Sequence, residues 1–473
     1  MKRLLLLLTA IASAAAAEPS KPNIVLIFAD DMGWHDAGYN NSNGFFETPN
    51  IDRLAKDGMA FTAAYAGAAN CAPSRGCLMS GQYTPRHGIY AVGSTSRGPK
   101  KEFRMDPVPN TSDLRPSIVT MAEALKARGY ATGHFGKWHL GSAKDGTGPL
   151  QQGFDTSDPT LIPPPDKENN PADPKRAYSI TREACEFIEK NKERPFFAYV
   201  AHHAIHSAQQ ARPETLEKFR KKAQTMKADA KPLYAACTYD LDDSVGVLLK
   251  KLSDLGLDKN TLVIFTSDNG GTPQSPNEPL RGAKGAYYEA GIREPFVVRW
   301  PGTVQPGSKC DVPVINEDLY PTFVSAGGGT PAENLDGTSL LPLLKGAATL
   351  PRESIFWHFP GYLDNPVPRG RDKIFRTRPV TTIRKGDWKL LCYHEEWLLD
   401  GGQEKIATNH AVELYNLKDD PGEHHDLAGE NHAKRDELMS DIVGWWKKTD
   451  AKLPTPLGRD GPKADKEEKS DEE

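Results

Sequence analysis

Three stretches of this chain are apolar almost without interruption, and each runs into polar residues that can bind or catalyse. Asn23-Ile24-Val25-Leu26-Ile27-Phe28-Ala29 stops on Asp30-Asp31. Pro195-Phe196-Phe197-Ala198-Tyr199-Val200 leads into Ala201-His202-His203-Ala204-Ile205-His206. Thr261-Leu262-Val263-Ile264-Phe265-Thr266 stops on Ser267-Asp268-Asn269-Gly270. Short runs rich in branched and aromatic residues read as strands covered on both faces, the condition of a parallel sheet between two layers of helices. Ligands of such sheets gather at the carboxyl ends of the strands. If the first and third strands lie side by side, Asp30, Asp31, Asp268 and Asn269 converge. Taken singly, an acidic pair after a strand is a solvated turn, and a lone histidine is a packed one. The repeated design is what points to a site.

Helical periodicity fills the gaps between these strands. Thr48 to Ala55 reads as a capped helix ending near Gly58. Ser117 to Arg128 reads as another, stopped by Gly129, followed by Ser179 to Lys190 and Pro232 to Leu255. The acids between Tyr239 and Val245 read as solvated or structural, Asn316 to Thr322 as a structural helix, and Leu161 to Pro174 as a surface loop. Past about Arg352 the character changes. Val380 to Arg384, Trp388 to Cys392 and Glu413 to Asn416 read as an antiparallel meander, followed by a helix from Ala433 to Thr449. The expected fold is therefore α/β, with a large, mostly parallel central sheet flanked by helices. A smaller C-terminal antiparallel sheet with a helix completes it. Residues 21–352 are expected to form the main domain, 353–450 a smaller α+β unit, and 454–473 a charged, disordered tail.

Cys71-Ala72-Pro73-Ser74-Arg75-Gly76 reads as a helix entrance. Pro73 suits a first turn, and Gly81 can end the helix in the left-handed conformation. Cys71 then sits at the positive end of the helix dipole beside Arg75, a place that favours an anion. A reactive or modified cysteine would want it, although a half-buried cysteine beside a surface arginine fits the same residues. Tyr130 to Gly141 carries Lys137 and His139, which would share a face if the segment stays strand-like. Lys284, between Ala283 and Gly285, can approach a ligand closely. Four oxygen donors without a thiolate pair describe a hard cation, calcium rather than zinc or magnesium.

Three of these stretches resemble motifs of the sulfatase family: Cys71 to Arg75, Gly136-Lys137-Trp138-His139-Leu140-Gly141, and Leu280 to Pro295. The likeness extends from about Lys21 to about Leu427. It implies that Cys71 is oxidised to formylglycine (3-oxoalanine) by a formylglycine-generating or other sulfatase-maturating enzyme. It implies a Ca2+ ion held by Asp30, Asp31, residue 71, Asp268 and Asn269. Arg75, Lys137 and Lys284 would join the ion in neutralising a sulfate ester. The hydrated aldehyde would attack sulfur. His206, with Lys284 nearby, would protonate the leaving oxygen, and His139 would take a proton from the second hydroxyl to expel sulfate. The family usually has His-x-Pro at the third strand end. Here Ser207-Ala208 follows His206, and Ile205 stands where proline is common. His206 is carried over, with His203 as runner-up and His202 as packing.

The implied activity is hydrolysis of a sulfate ester on a sulfated carbohydrate. A phosphodiester or phosphonate hydrolase of the same superfamily is the first alternative, and Asn269 argues against it, since those relatives tend to have histidine there. A catalytically inactive, secreted glycan-binding protein is the second. Zinc phosphatases of the superfamily need further histidine ligands that have no place here. Composition agrees: 59 basic and 63 acidic residues give a net charge of −4, which favours neither nucleic acid nor an anionic membrane. The six cysteines form no Cys-x-x-Cys pair, and some could join as disulfides. Lys2-Arg3, Leu4 to Ile11 and Ser13 to Ala17 read as a signal peptide over residues 1–17, so the protein is expected to be exported to the periplasm or beyond, without a membrane span. Gly93 to Pro116 and Gly141 to Pro174 are the expected specificity loops.

Overall fold

The computed structural model describes residues 21–41, 44–158, 170–226 and 231–458. The proposed signal peptide, most of the 161–174 loop and the last residues of the tail lie outside them.

Every long apolar run is a strand of one eight-stranded sheet. Its order from edge to edge is Ser308–Cys310, Met59–Phe61, Phe296–Arg299, Thr261–Ser267, Asn23–Ala29, Phe196–Ala201, Ala131–Gly136 and Thr156–Ser157. Only Phe296–Arg299 runs against the rest. Asn23–Ala29 lies at the centre, pairing in parallel with Thr261–Ser267 on one side and Phe196–Ala201 on the other. Its alternate residues feed two cores. Ile24, Leu26 and Phe28 pack with Leu78, Met121 and Phe323 on one face. Val25, Ile27 and Ala29 pack with Ile180, Leu241 and Leu248 on the other. The unbroken hydrophobicity of the strand is thus the consequence of helices on both sides.

Helix ends differ in detail from the sequence reading. The helix placed at 117–128 is Met121–Lys126, because Thr120 forms a capping box with Glu123 and the chain turns before it. Thr48 precedes the helix Pro49–Lys56 without capping it by its side chain. Its hydroxyl is held by Gly38 N and Asp52 instead. The acids of the helix Pro232–Asp254 are structural. Asp240 holds Arg212, and Asp242 accepts from the backbone of Asn50 and Ile51.

The second sheet is antiparallel in the order Ser354–Phe359, Val380–Lys385, Trp388–Tyr393 and Val412–Asn416. Its first strand went unread in the sequence. The helix His432–Thr449 packs on it through Leu438, Met439, Ile442 and Trp446. The tail does not begin at Pro454, since Thr455–Pro456 pairs with Met105–Asp106. All six cysteines are buried and free, so no disulfide forms. Among the described residues no helix is long and apolar enough to cross a membrane.

Candidate active site

The register of the two central strands assembles the site. Ala29 pairs with Ser267, so the chains leave the sheet together as Asp30-Asp31 and Asp268-Asn269. Asp31 turns into the left-handed conformation at φ 68°. Its N–H donates to Asp268 Oδ1 at 3.0 Å, and Asn269 Nδ2 donates back to Asp31 Oδ1 at 2.9 Å. Met32 N on Ser267 Oγ, 2.9 Å, closes the pair of turns. The third strand end meets the first through Ile205 N on the Asp30 carbonyl, 2.7 Å. That bond delivers His206 Nε2 to 3.8 Å from Asp31 Oδ2.

The helix Cys71–Ser80 points its first residue at this cluster and ends on Gly81 at φ 65°. Cys71 is 2% exposed. Arg75 is fully buried, and its fork is occupied. Nε and Nη2 donate to Asp268 Oδ2 at 3.1 and 2.8 Å, and Nη1 donates to the Lys137 carbonyl and the Tyr199 hydroxyl. Arg75 therefore holds the site together, whereas the sequence had aimed it at a ligand. Lys137 Nζ donates to Asp30 Oδ2 at 2.8 Å and Lys284 Nζ to Asp31 Oδ2 at 2.9 Å.

Lys137 and His139 face the cluster for a reason other than strand alternation. The strand stops at Gly136, where a Cβ would stand 2.0 Å from the Ala201 carbonyl oxygen and φ is +97°. His139 then adopts φ 61°. Among the ten residues named from the sequence, none is stranded elsewhere in the fold. His203 also lies near Lys137 and Asp30, buried, with neither ring nitrogen hydrogen-bonded. His202 is buried in the same way. Tyr199 was missed: inside an apolar strand its hydroxyl gave no signal, although its alternate-face position toward Arg75 was available from the period of two.

Charge in this enclosure is sorted. Burial alone would raise the Asp30 carboxyl, but Lys137, His206, Arg75 and Lys284 together carry it well below its usual range. Asp31 is lowered against burial mainly by Lys284. Asp268 is pushed up to about 7 by burial and by Asp30, against the pull of Arg75. Lys284 keeps its proton: burial works against it, but Asp31, Cys71, Asp30 and Asp268 together raise it. Burial, Lys137 and Arg75 hold His139 well below the usual imidazole range, and burial lowers His206. Both imidazoles are neutral bases at ordinary pH. Burial pushes the Cys71 thiol up to about 11, so it is no thiolate.

The donors are grouped closely enough to hold a metal ion. One donor atom from each of Asp30, Asp31, Cys71 and His206 lies within 4.8 Å of the others. Asp30 Oδ1 and Asn269 Oδ1 are buried and have no hydrogen-bond partner. Buried oxygens are seldom left so without an ion or water to serve them.

A family model described as Sulfatase matches residues 22–329, and one described as N-sulphoglucosamine sulphohydrolase, C-terminal, matches residues 283–443. The chain belongs to the sulfatase family. It is a sulfuric ester hydrolase. The N-acetylgalactosamine-6-sulfatase of Mus musculus is 35% identical over 493 residues, covering 92% of this chain and 88% of its own. Arylsulfatase A of Homo sapiens is 33% identical over 478 residues, covering 90% and 86%. The solved structure of Ps i-CgsB in complex with k-i-k-neocarrahexaose superposes with a TM-score of 0.70 at 29% identity, covering 90% of this chain and 93% of that one.

Proposed function

We propose that this sulfatase hydrolyses a sulfate ester on a sulfated carbohydrate, with residue 71 as formylglycine and Ca2+ as its metal. The observation that carries the reading is the pair of orphaned oxygens, Asp30 Oδ1 and Asn269 Oδ1, in a cluster that also contains a buried cysteine held as a thiol. Oxygen donors suit calcium, and a thiol beside them is a mismatched ligand until it becomes an oxygen group. Relatives named for sulfated sugars support the carbohydrate class.

Asp30, Asp31, Asp268 and Asn269 would hold the ion, which supplies Lewis-acid polarisation of the sulfate oxygens. As an aldehyde hydrate, residue 71 would supply a hydroxyl nucleophile and a second hydroxyl whose deprotonation would free sulfate. Lys137 and Lys284, both charged, lie against Asp30 and Asp31 and set positive charge beside the ester. Lys284 is the group on the Asp31 side that carries a proton, and neutral His206 beside it can pass that proton to the departing oxygen. This modifies the expectation that His206 is itself the standing acid. Neutral His139 is suited to accept a proton. Arg75 and Tyr199 would act through the groups that Arg75 holds, Asp268 and the Lys137 backbone, with the Tyr199 hydroxyl as the third partner of its fork.

The test is free-sulfate release from a panel of defined sulfated sugars and a small aryl sulfate, with phosphate diesters as controls. The tryptic peptide 57–75 is weighed alongside. Sulfate release with one oxygen in place of SH2 at residue 71, lost on chelation and regained with Ca2+, is the expected result. Full activity in metal-free protein with unmodified Cys71, or turnover of phosphate diesters alone, overturns the reading.

A further inference from the structure

The two turns that carry the proposed cation ligands are joined a second time, farther out, by a side chain that the chemistry does not use. Asp36 ends the short helical turn Trp34–Asp36, in the loop that follows Asp31, and is fully buried. Its carboxylate accepts hydrogen bonds from separate parts of the chain. Oδ2 accepts from Gly33 N at 2.7 Å and from the Tyr234 hydroxyl at 2.6 Å. Oδ1 accepts from the Ser275 hydroxyl at 2.8 Å. Gly33 belongs to the loop after Asp31 and Ser275 to the loop after Asn269. Tyr234 lies in the first turn of the helix Pro232–Asp254.

The two loops touch at glycines. A Cβ on Gly33 would lie 2.5 Å from Ser275 Oγ and 3.0 Å from Gly271 Cα, and one on Gly271 would lie 2.6 Å from Ser275 Oγ. Gly33 has φ −74°, so space and not conformation calls for glycine there. The Gly271 carbonyl in turn accepts from Lys284 N at 2.8 Å. One carboxylate thus ties the loop after Asp30-Asp31 to the loop after Asp268-Asn269, and through Gly271 to Lys284.

The inner contacts between the turns are of another kind. Asp31 N on Asp268 Oδ1 and Asn269 Nδ2 on Asp31 Oδ1 engage the side chains that would ligate the ion. Asp30 and Asp31 both push the Asp268 carboxyl up, the mark of repulsion between the turns. Asp36 opposes that repulsion from outside the donor cluster and occupies none of its oxygens.

We propose that Asp36 is a positioning residue for the cation site: through Ser275 and Tyr234 it holds the two ligand-bearing turns at the separation that Ca2+ requires. The inference rests on the calcium reading above and adds to it the residue that sets the affinity.

The Ca2+-loaded enzyme is dialysed against a series of chelator-buffered calcium concentrations, and bound metal is read by elemental analysis. Wild type is compared with Asp36→Ala, Asp36→Asn, Ser275→Ala and Tyr234→Phe. In Asp36→Asn the amide oxygen can still accept from Gly33 N and Tyr234, and the amide nitrogen can donate to Ser275 Oγ, because a hydroxyl accepts as well as donates. That variant removes the charge and keeps the clamp, whereas Asp36→Ala removes both. Loss of an outer partner of metal ligands predicts Ca2+ affinity roughly tenfold to a hundredfold weaker in Asp36→Ala. One lost hydrogen bond predicts roughly threefold to tenfold in Ser275→Ala and in Tyr234→Phe, and Asp36→Asn should stay within about threefold of wild type. Raising Ca2+ should restore much of the sulfate release of each variant, which a damaged fold would not allow. Wild-type affinity in folded Asp36→Ala overturns the inference. So does wild-type affinity in both Ser275→Ala and Tyr234→Phe, even if Asp36→Ala fails to fold. An equal loss in Asp36→Asn and Asp36→Ala also overturns it, by assigning the effect to charge. If wild type itself holds no Ca2+, the calcium reading fails, and that outcome is distinct.

Discussion

At the residue scale, Arg75 shows how much of the site is support. Three of its nitrogens hold three separate groups, Asp268 Oδ2, the Lys137 carbonyl and Tyr199 Oη. A lysine ammonium is a point charge and cannot span them. Arg75→Lys should lower kcat by roughly a hundredfold while the protein remains folded, as loss of an outer partner of a metal ligand does. Steady-state kinetics together with far-UV circular dichroism check this, and full activity would show that Asp268 needs no such anchor. Glu317 is a different case. It is buried, both its oxygens lack partners, and burial pushes its carboxyl from 4.5 up to about 8. The native state then keeps a proton that the unfolded chain releases. Stability is fully present below about pH 4.5 and falls as pH rises toward about 8, by about 1.4 kcal/mol per unit. Glu317→Gln keeps the neutral shape and removes that slope. Its urea midpoint should gain on wild type steadily between about pH 5 and pH 8. Parallel curves would show that Glu317 is ionised when folded.

At the scale of elements, the strands were legible and the helix starts less so. Hydrophobic runs such as Asn23–Ala29 betray burial on both faces directly, and the polar residues that end them group by position in the sequence alone. The convergence of Asp30 with Asp268 needed one further fact, adjacency, which strand periodicity does not contain. Helix starts depend on a few local hydrogen bonds. Ser117 looks as good a cap as Thr120, but only Thr120 has a glutamate three residues on. Its hydroxyl accepts from Glu123 N at 3.2 Å and donates to the Gln152 carbonyl at 2.7 Å, while Glu123 Oε2 accepts from Thr120 N at 2.7 Å. Thr120→Ala should cost about 1 kcal/mol or somewhat more, and Thr120→Ser, which keeps the hydroxyl, should recover most of it. Denaturant midpoints measure both. A full loss in the serine variant would assign the effect to the methyl group.

At the scale of the molecule, the C-terminal sheet is joined to the short helix Glu289–Ile292 by buried charge that no local pattern announces. Lys389 lies in the inner strand Trp388–Tyr393. Its side chain is buried against the short helix that starts at Glu289 and against Glu423. Its Nζ lies 3.0 Å from Glu289 Oε1 and 2.8 Å from Glu423 Oε1, all three side chains fully buried. Glu289 also accepts from the Tyr65 hydroxyl at 2.8 Å, and its backbone N–H donates to Glu423 Oε2 at 2.7 Å. Glu289 begins the turn of helix that follows the Lys284 loop. The C-terminal sheet therefore grips the segment that follows Lys284. Lys389→Met would leave two carboxylates facing each other without their cation, a loss of about 3–5 kcal/mol. Adding Glu423→Gln removes one of those charges, and Glu289 keeps Tyr65 and Arg293 as partners. The double variant should thus be more stable than Lys389→Met alone, by urea unfolding. If the grip matters to chemistry, the double variant should still turn over sulfate ester more slowly than wild type at equal folded fraction. It should also add nothing to the defect of a Lys284→Met enzyme, because both act through one side chain. Additive losses in that cycle would mean that the buried triad only glues the sheets together.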